Sequence, residues 1–239
     1  MIVVGERANV SGSRTFERLV RTGDWDGAID FALAQSHEGA SVLDVCLISP
    51  DELRDTEQFY SRAALRSHPP WMIDSRSPEV MESALQICGS GHFLNSTSLE
   101  DPRHLDHVCG LAKVYRAGIV IACRDAAGLA MTRHRKLDVI QRTLDRIHAE
   151  VEPVIVDLLA FPVAAFPEGL AETLAAIEGV RGARTLLALS NFSFGMPPAE
   201  RVSLEKRILN DASSAGLDFV ILNTRRHRQS GVYDTIPIV

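Results

Sequence analysis

The feature that most constrains the fold is a repeated arrangement in which a helix-like stretch ends in glycine and a short apolar run follows. It occurs at residues 37–44, 115–122, 180–187 and 214–221. A glycine just past a helix adopts the left-handed conformation that ends the helix. The apolar run after it is typical of a strand buried on both faces, as in a parallel sheet. The sequence therefore predicts helices that alternate with parallel strands.

Eight strands can be placed in this way, with helical patterns between them. The predicted strands are roughly 1–4, 41–45, 71–73, 92–94, 118–122, 153–157, 185–189 and 218–222. Within residues 132–150, Leu137, Ile140 and Leu144 fall on one face of a predicted helix. Eight alternations predict an α/β protein with a single (β/α)8 TIM barrel. A doubly wound sheet, which more often has five or six strands, is the alternative.

The chain length favours one domain over residues 1–239. A single barrel of this kind typically takes roughly 250 residues, and no linker rich in Pro, Ser or Gly divides the chain. Residues 224–239 are predicted to be a C-terminal tail with a basic cluster at 225–228 and Pro237, not a full eighth helix. We therefore expect a truncated or rearranged eighth helix. An uncovered strand face needs another cover, so a homodimer is expected.

Composition argues against several classes of partner. The formal net charge is −6, whereas nucleic-acid binders usually carry a basic footprint. No apolar run reaches the ~20 residues that a membrane helix needs. The first residues lack the basic and apolar regions of a secretory signal. We expect a cytoplasmic protein with no nucleic-acid or membrane partner.

No metal site is predicted. The cysteines at positions 46, 88, 109 and 123 match no zinc pattern. His104 and His107 lie three residues apart on a predicted helix, where a solvated face is expected. The chain also lacks a Gly-x-Ser-x-Gly elbow and a P-loop, so serine hydrolase and nucleotide-triphosphate chemistry have no support.

The informative feature is the polar residue at the C-terminal end of each predicted strand. In chain order these are Glu6, Asp44, Asp74, Asn95, Arg124 with Asp125, Asp157, Asn191 and Asn223. In a barrel these ends converge on the face that carries the active site. Carboxylates accept hydrogen bonds, and amides both donate and accept them. A flat, neutral ligand rich in N–H groups suits this ring, and a pterin fits. Taken singly, each Asp or Asn also fits a turn or a helix N-cap.

The segment 5–13, which reads Gly-Glu-Arg-Ala-Asn-Val-Ser-Gly-Ser, resembles a known family. The family is that of the pterin-binding methyltetrahydrofolate:corrinoid methyltransferases, which includes the folate domain of cobalamin-dependent methionine synthase. Later segments agree with it in order and spacing, namely 24–26, 72–75, 95–98 and 189–195. The resemblance extends from residue 2 to about residue 223, and together these motifs are specific.

The resemblance implies that the pterin is held by Asp74, Asn95 and Asp157, with Glu6 nearby. It implies that Asn191 lies beside the folate N5, binds there and is the catalytic residue. Further candidates for the site are Asn9, Asp44, Cys46, Ser193 and Asn223. The implied substrate is methyltetrahydrofolate, which yields tetrahydrofolate. Cobalamin would come from a corrinoid partner protein, because the chain lacks a cobalamin-binding Asp-x-His-x-x-Gly signature.

The sequence departs from the family at three strand ends. Cys46 stands where the family usually has Asn, Leu158 stands where it has Pro, and Arg124 enters a loop that is usually less basic. Four alternatives therefore remain open. They are corrinoid-independent one-carbon transfer to a small molecule, a dihydropteroate synthase-like reaction, a non-catalytic folate-binding subunit and a non-folate barrel enzyme. The basic cluster at 225–228 is expected to be a solvated tail, with binding of a folate glutamate tail as the alternative.

Overall fold

Eight parallel strands close into a barrel in the computed structural model of the chain, which describes residues 1–147 and 151–231. The strands are β1 (Ile2–Asn9), β2 (Val42–Cys46), β3 (Trp71–Asp74), β4 (Phe93–Leu99), β5 (Gly118–Asp125), β6 (Gly128–Leu129), β7 (Val154–Asp157), β8 (Arg184–Ala188) and β9 (Phe219–Leu222). Each of the eight long strands pairs with its neighbour in sequence, and β9 closes on β1. The short β6 pairs antiparallel with β5 and forms a hairpin above the barrel. The predicted TIM barrel is confirmed.

Helices connect the strands and cover the outside of the barrel. They are α1 (Arg14–Arg21), α2 (Trp25–His37), α3 (Glu52–Ala63), α4 (Pro78–Cys88), α5 (Pro102–Tyr115), α6 (Arg133–Arg146), α7 (Gly169–Gly179), α8 (Leu189–Phe192), α9 (Pro198–Ser214) and α10 (Thr224–Gln229). Side chains fix several starting points. Asp24 accepts from the Gly27 amide at 3.0 Å, and Ser77 accepts from the Val80 amide at 3.3 Å. Such caps satisfy amides that have no partner within the helix.

Helix α6 is shorter than its periodicity predicted. It ends at Arg146, and Ile147 is extended, with φ −76° and ψ 131°. The rest of the predicted helix, residues 148–150, lies outside the described residues.

The core has two layers, one inside the barrel and one between the barrel and its helices. The interior layer consists of Val4, Val42, Met72, Val120, Ile155, Leu186, Phe219 and Ile221. These side chains fill the lumen, so the barrel is a packed core and not a pore. The strand ends above them are left as the floor of an open cavity.

The last barrel strand is covered within the single chain. All four residues of β9 are buried, and the six-residue α10 follows directly. This agrees with the expected short eighth helix, while the tail beyond residue 231, with Pro237, lies outside the described residues. The homodimer stays a prediction, and the strand that prompted it needs no partner to be buried. In the described ranges no helix has the length and apolar character to cross a membrane.

Candidate functional site

A cavity of about 630 Å³ opens at the C-terminal ends of the strands. It brings together eight of the ten residues predicted for the site, namely Glu6, Asn9, Asp44, Asp74, Asn95, Asp157, Asn191 and Asn223. The remaining two, Cys46 and Ser193, are buried and do not line the cavity. A larger cavity of about 1070 Å³ lies at the N-terminal ends of β7 and β8, away from this polar ring.

We call Asp44, Asp74, Asn95 and Asp157 the acidic side of the cavity. These residues come from β2, β3, β4 and β7. The Asn95 side-chain nitrogen donates to Asp44 Oδ1 at 3.0 Å, which leaves the Asn95 oxygen as an acceptor. The Cys46 thiol hydrogen-bonds to Asp74, and the Leu159 amide donates to Asp157 Oδ1 at 2.9 Å. Most of the acceptor capacity of these carboxylates is free for a ligand.

The carboxyl groups of the acidic side hold protons more tightly than usual. Burial raises the pKa of Asp157 to about 6, against the opposing effects of the Leu159 amide and of Lys136. Burial also raises the pKa of Asp74. The pKa of Asp44 is well above its usual value because the carboxyl group is buried and because Asp74 lies beside it. A ligand that donates N–H groups to these carboxylates would favour their charged forms.

Glu6 connects β1 to the segment that carries Asn191. Ser190 Oγ donates to Glu6 Oε2 at 2.8 Å, and Ser190 and Asn191 are neighbours in the one-turn helix α8. Burial raises the pKa of Glu6 despite that hydrogen bond and the positive charge of Arg226. Asn191 itself is exposed at the mouth, close to Phe194, of which 68% is exposed.

We call Arg7, Arg201 and Arg226 the arginine side, since all three also line the cavity. Two of the three are paired with carboxylates. Arg226 forms two hydrogen bonds with Glu205, at 2.8 and 2.6 Å. Arg7 pairs with Glu38 at 3.3 Å.

Glu205 organises this side from beneath the cavity surface. It is fully buried on α9 and accepts a hydrogen bond from Ser193 Oγ, while Arg201 Nε donates to the same hydroxyl at 3.1 Å. His227 is also fully buried, and its Nε2 lies 3.1 Å from Glu205 Oε2. Ser193 therefore fixes the chain after Asn191 from inside the protein.

The basic cluster at 225–228 is only partly the solvated tail that the sequence suggested, since Arg225 and Arg228 are exposed but Arg226 and His227 are not. Arg226 and His227 both contact Glu205, and Arg228 donates to the His37 carbonyl. The cluster folds back because a buried carboxylate on α9 provides a counter-charge that no local pattern in the sequence reveals.

Two predicted asparagines have local structural roles as well as facing the cavity. Asn9 Oδ1 accepts from the amides of Ser11 and Gly12, at 2.8 and 3.0 Å, and shapes the loop after β1. Asn223 caps α10 by accepting from the Arg226 amide at 3.1 Å. Their side-chain nitrogens are the groups that remain for a ligand.

Sequence reasoning missed the residues that support the site from behind. Glu205, His227 and Lys136 are fully buried, and Ser190 contacts Glu6 across 184 positions. A buried glutamate or lysine within a polar helix looks like a surface residue in one sequence. The one available signal was the run 189–195, in which Ser190 and Ser193 flank Asn191.

The described residues contain no group of three or more His, Cys, Asp or Glu that could hold a metal ion. His104 is only partly exposed, because Thr97 Oγ1 lies 2.8 Å from its Nδ1 and the Arg76 carbonyl lies 3.1 Å from its Nε2. His104 thus joins β4 to the loop after β3, while His107 is exposed as the sequence predicted.

The fold and the cavity together define a TIM barrel with a polar cavity at the C-terminal ends of its strands. The family model described as pterin binding enzyme matches residues 5–223. The chain belongs to this family.

The chain is also similar in sequence to two methionine synthases. The chain is 29% identical over 245 residues to methionine synthase from Mycobacterium tuberculosis and 28% identical to the enzyme from Mycobacterium leprae. In each case the match covers 95% of this chain and 20% of the relative, so the chain spans about a fifth of their length. The resemblance identified from the sequence motifs is confirmed.

Solved structures show the same fold. Dihydropteroate synthase from Xanthomonas albilineans, in complex with indole-2-carboxylic acid and 6-chloroguanine, has a TM-score of 0.68 and 18% identity. The match covers 97% of this chain and 90% of that one. The enzyme from Thermus thermophilus, in complex with 6HMPPP, has a TM-score of 0.63 and 22% identity, with 99% and 94% covered. At these identities the likeness concerns the fold alone.

Proposed function

We propose that this protein is a methyltransferase that binds methyltetrahydrofolate by its pterin ring and passes the N5-methyl group to cob(I)alamin on a partner protein. The observation that carries the proposal is the acidic side of the cavity. Three carboxyl groups and an amide face the same space, with few protein donors to satisfy them. The similarity to methionine synthases over 95% of the chain supports this choice of reaction.

Pterin recognition follows from the hydrogen-bonding capacity of this side. The pterin amino group and ring N–H groups are donors, and carboxylates are acceptors only. Asp74 and Asp157 lie at the ends of β3 and β7, so they would hold the ring from two separate strands. Asn95 would accept through its oxygen, because its nitrogen is bound to Asp44. Charged hydrogen bonds of this kind are worth about 1.5–3 kcal/mol each.

Asn191 has the chemistry that methyl departure requires. The methyl group leaves from a tertiary amine, and an amine anion is a very poor leaving group. A proton, taken from the solvent because an amide cannot supply one, must therefore reach N5 as the methyl group leaves. The Asn191 amide can donate a hydrogen bond, and one that strengthens as charge develops on N5 favours the transition state. Ser190 and Ser193, on either side of Asn191, are tied to Glu6 and Glu205, so the position is fixed.

The partner would supply the methyl acceptor. Cob(I)alamin provides a strong nucleophile when bound to its own protein, and the cavity mouth beside Asn191 and the exposed Phe194 is the surface it would approach. A cytoplasmic location and a homodimer complete the proposal as predictions.

The test is methyl transfer from methyltetrahydrofolate to reduced cobalamin, followed by visible absorbance. In Asn191→Ala, transfer should fall at least about tenfold, since one donor to developing charge is lost, while folate affinity measured by calorimetry should change little. Glu200→Gln, an exposed change on nearby α9, is the matched control. An unchanged rate in Asn191→Ala with folate bound would remove the assigned role. Folate binding without any transfer would favour the corrinoid-independent or non-catalytic alternatives.

A dihydropteroate synthase-like condensation is a second candidate, favoured by the arginine side of the cavity. Such a reaction needs a site for an anionic leaving group, and three arginines line the space. Two of them are already paired with carboxylates, Arg7 with Glu38 and Arg226 with Glu205, and the segment 5–13 disfavours this reaction. Product analysis with a pterin pyrophosphate and p-aminobenzoate decides it, since formation of dihydropteroate would establish the condensation.

A further inference from the structure

The loop after β7 is held by a lysine that is completely buried. Lys136 on α6 is 0% exposed, whereas a lysine is almost never fully buried unless it is paired. Its Nζ donates to the Leu158 carbonyl and lies 3.4 Å from the Leu159 carbonyl. The same ammonium stands 5.0 Å from the centre of the Phe161 ring. Backbone carbonyls and a ring face therefore surround the charge.

The loop that Lys136 holds has a conformation that few side chains adopt. Leu159 has φ +58°, in the left-handed region that is unfavourable for residues with a Cβ. This turn places the Leu159 carbonyl near Lys136 and directs the Leu159 amide toward Asp157, to which it donates at 2.9 Å. One turn thus joins the buried ammonium to a carboxylate of the cavity.

We infer that Lys136 is a positioning residue for Asp157: it holds the 157–159 turn in place and keeps the Asp157 carboxylate oriented and charged for the ligand. The inference rests on the proposed function, in which Asp157 binds the pterin. It also accounts for a departure from the family, since Leu158 and Leu159 need an anchor where the family usually has a proline after the aspartate.

The charges around Asp157 make the effect of Lys136 specific. Lys136 lowers the pKa of Asp157, against the larger effect of burial. The other titratable groups near this pair are the buried Cys123 of β5 and Glu172 of α7, which both act on Lys136. Across the cavity lie Glu6, Asp44 and Asp74. Among these groups, Lys136 is the cation that lowers the pKa of Asp157. Removal of Lys136 should therefore raise that pKa.

The experiment compares Lys136→Met and Lys136→Gln in the full chain. The Asp157 carboxyl signal, assigned with the Asp157→Asn variant, is titrated by carbon NMR without ligand, and folate binding is measured by calorimetry from pH 5 to 8. In Lys136→Met the Asp157 titration should move up by about one pH unit, and folate affinity at pH 7 should fall several-fold. Lys136→Gln keeps a donor for the carbonyls, so affinity should recover in part while the titration stays raised.

Val139→Ala is the matched control, since Val139 is equally buried on the same helix and its loss destabilises without touching the turn. It should leave the Asp157 titration unchanged. An Asp157 titration that is the same in folded Lys136→Met or Lys136→Gln as in the parent chain overturns the inference. If the parent chain binds no folate, the proposed function fails, and the ligand-free titration still decides whether Lys136 acts on Asp157.

Discussion

The two sides of the cavity differ in the pKa values of their buried carboxyl groups and in the hydrogen-bond donors around them. On the acidic side, Asp44, Asp74 and Asp157 have raised pKa values and few donors. On the arginine side, Arg226 is bound to a buried Glu205, and the pKa of Glu205 is lowered, since its hydrogen bonds and positive neighbours outweigh the effect of burial. The protein leaves most acceptor sites of the acidic carboxylates open, whereas it surrounds the Glu205 carboxylate with hydrogen-bond donors.

Under the proposed function, the difference separates residues that bind the ligand from residues that stabilise the fold. A carboxylate that costs the free protein stability and has open acceptor sites is arranged for a ligand that arrives with donors. A carboxylate with several protein donors around it stabilises the loops that carry the site. Substitutions on the two sides should therefore change stability in opposite directions.

Removal of the Glu205 carboxylate should have the largest effect. In Glu205→Ala, Arg226 loses its counter-charge, and breaking a buried pair in this way costs about 3–5 kcal/mol. We expect the free energy of unfolding, measured with urea, to fall by about that amount. Glu200→Ala, on the exposed first turn of the same helix, should stay within about 0.5 kcal/mol of the parent chain. Equal stability of the two variants would contradict the structural role given to the arginine side.

Asp157→Asn should stabilise the free protein and weaken the binding of folate. Asparagine keeps an oxygen for the Leu159 amide but removes a carboxyl group whose pKa is raised to about 6. The free energy of unfolding at pH 7 should rise, by up to about 3 kcal/mol for a shift of this size. Folate affinity should fall about 10- to 100-fold with the loss of charged hydrogen bonds. A variant that is less stable and binds folate as before would reverse the assignment of the acidic side.

The two sides should also respond to pH in separate windows. The folded pKa of Asp157 lies above its usual value of 3.8, so its contribution to stability is complete below about pH 4 and is lost as the pH rises through 6. Glu205 has a lowered pKa, so its contribution is present above its usual 4.5 and is lost as the pH falls below it. Because Asp74 has a raised pKa in the same range, unfolding free energies from pH 3.5 to 8 should show the first window become shallower in Asp157→Asn by the contribution of one carboxyl group, and stay unchanged in Glu205→Gln.

The smallest effect should come from Cys46. Its thiol hydrogen-bonds to Asp74 and helps to lower the pKa of that carboxyl. Cys46→Ala should therefore weaken folate binding at pH 7 by about 0.5–1 kcal/mol, a few-fold change, and Cys46→Ser should restore part of it. Cys109→Ala, a buried change on α5, serves as the control for lost packing. If Cys46→Ala and Cys109→Ala bind folate alike, the thiol contributes nothing to the acidic side.

The acidic side could be predicted from sequence because its residues occupy a repeated position. Asp74, Asn95 and Asp157 each end an apolar run, and barrel closure brings such ends together whatever the loops do. The strands were placed within a few residues for the same reason, since buried parallel strands stand out as apolar runs.

The support behind the site was out of reach because it depends on contacts between distant helices. Glu205 lies in a helix with mixed charges, and nothing local shows that it is buried beneath Arg226 and His227. Lys136 has the same character in α6. Asn223 was found as a polar strand end and Asn9 within the segment 5–13, but their hydrogen bonds to the chain required the loop geometry.

Because the pKa of Asp157 is raised, ligand binding should be coupled to the release of a proton. Near pH 6 about half of the free molecules hold a proton on this carboxyl group, and a ligand that donates N–H groups to it must displace that proton into the solvent. The heat of binding should then depend on which buffer takes up the proton, and the number of protons released per ligand should decline as the solution becomes alkaline. Calorimetry in buffers with different heats of ionisation would thus detect binding at the cavity without any label on the ligand or the protein.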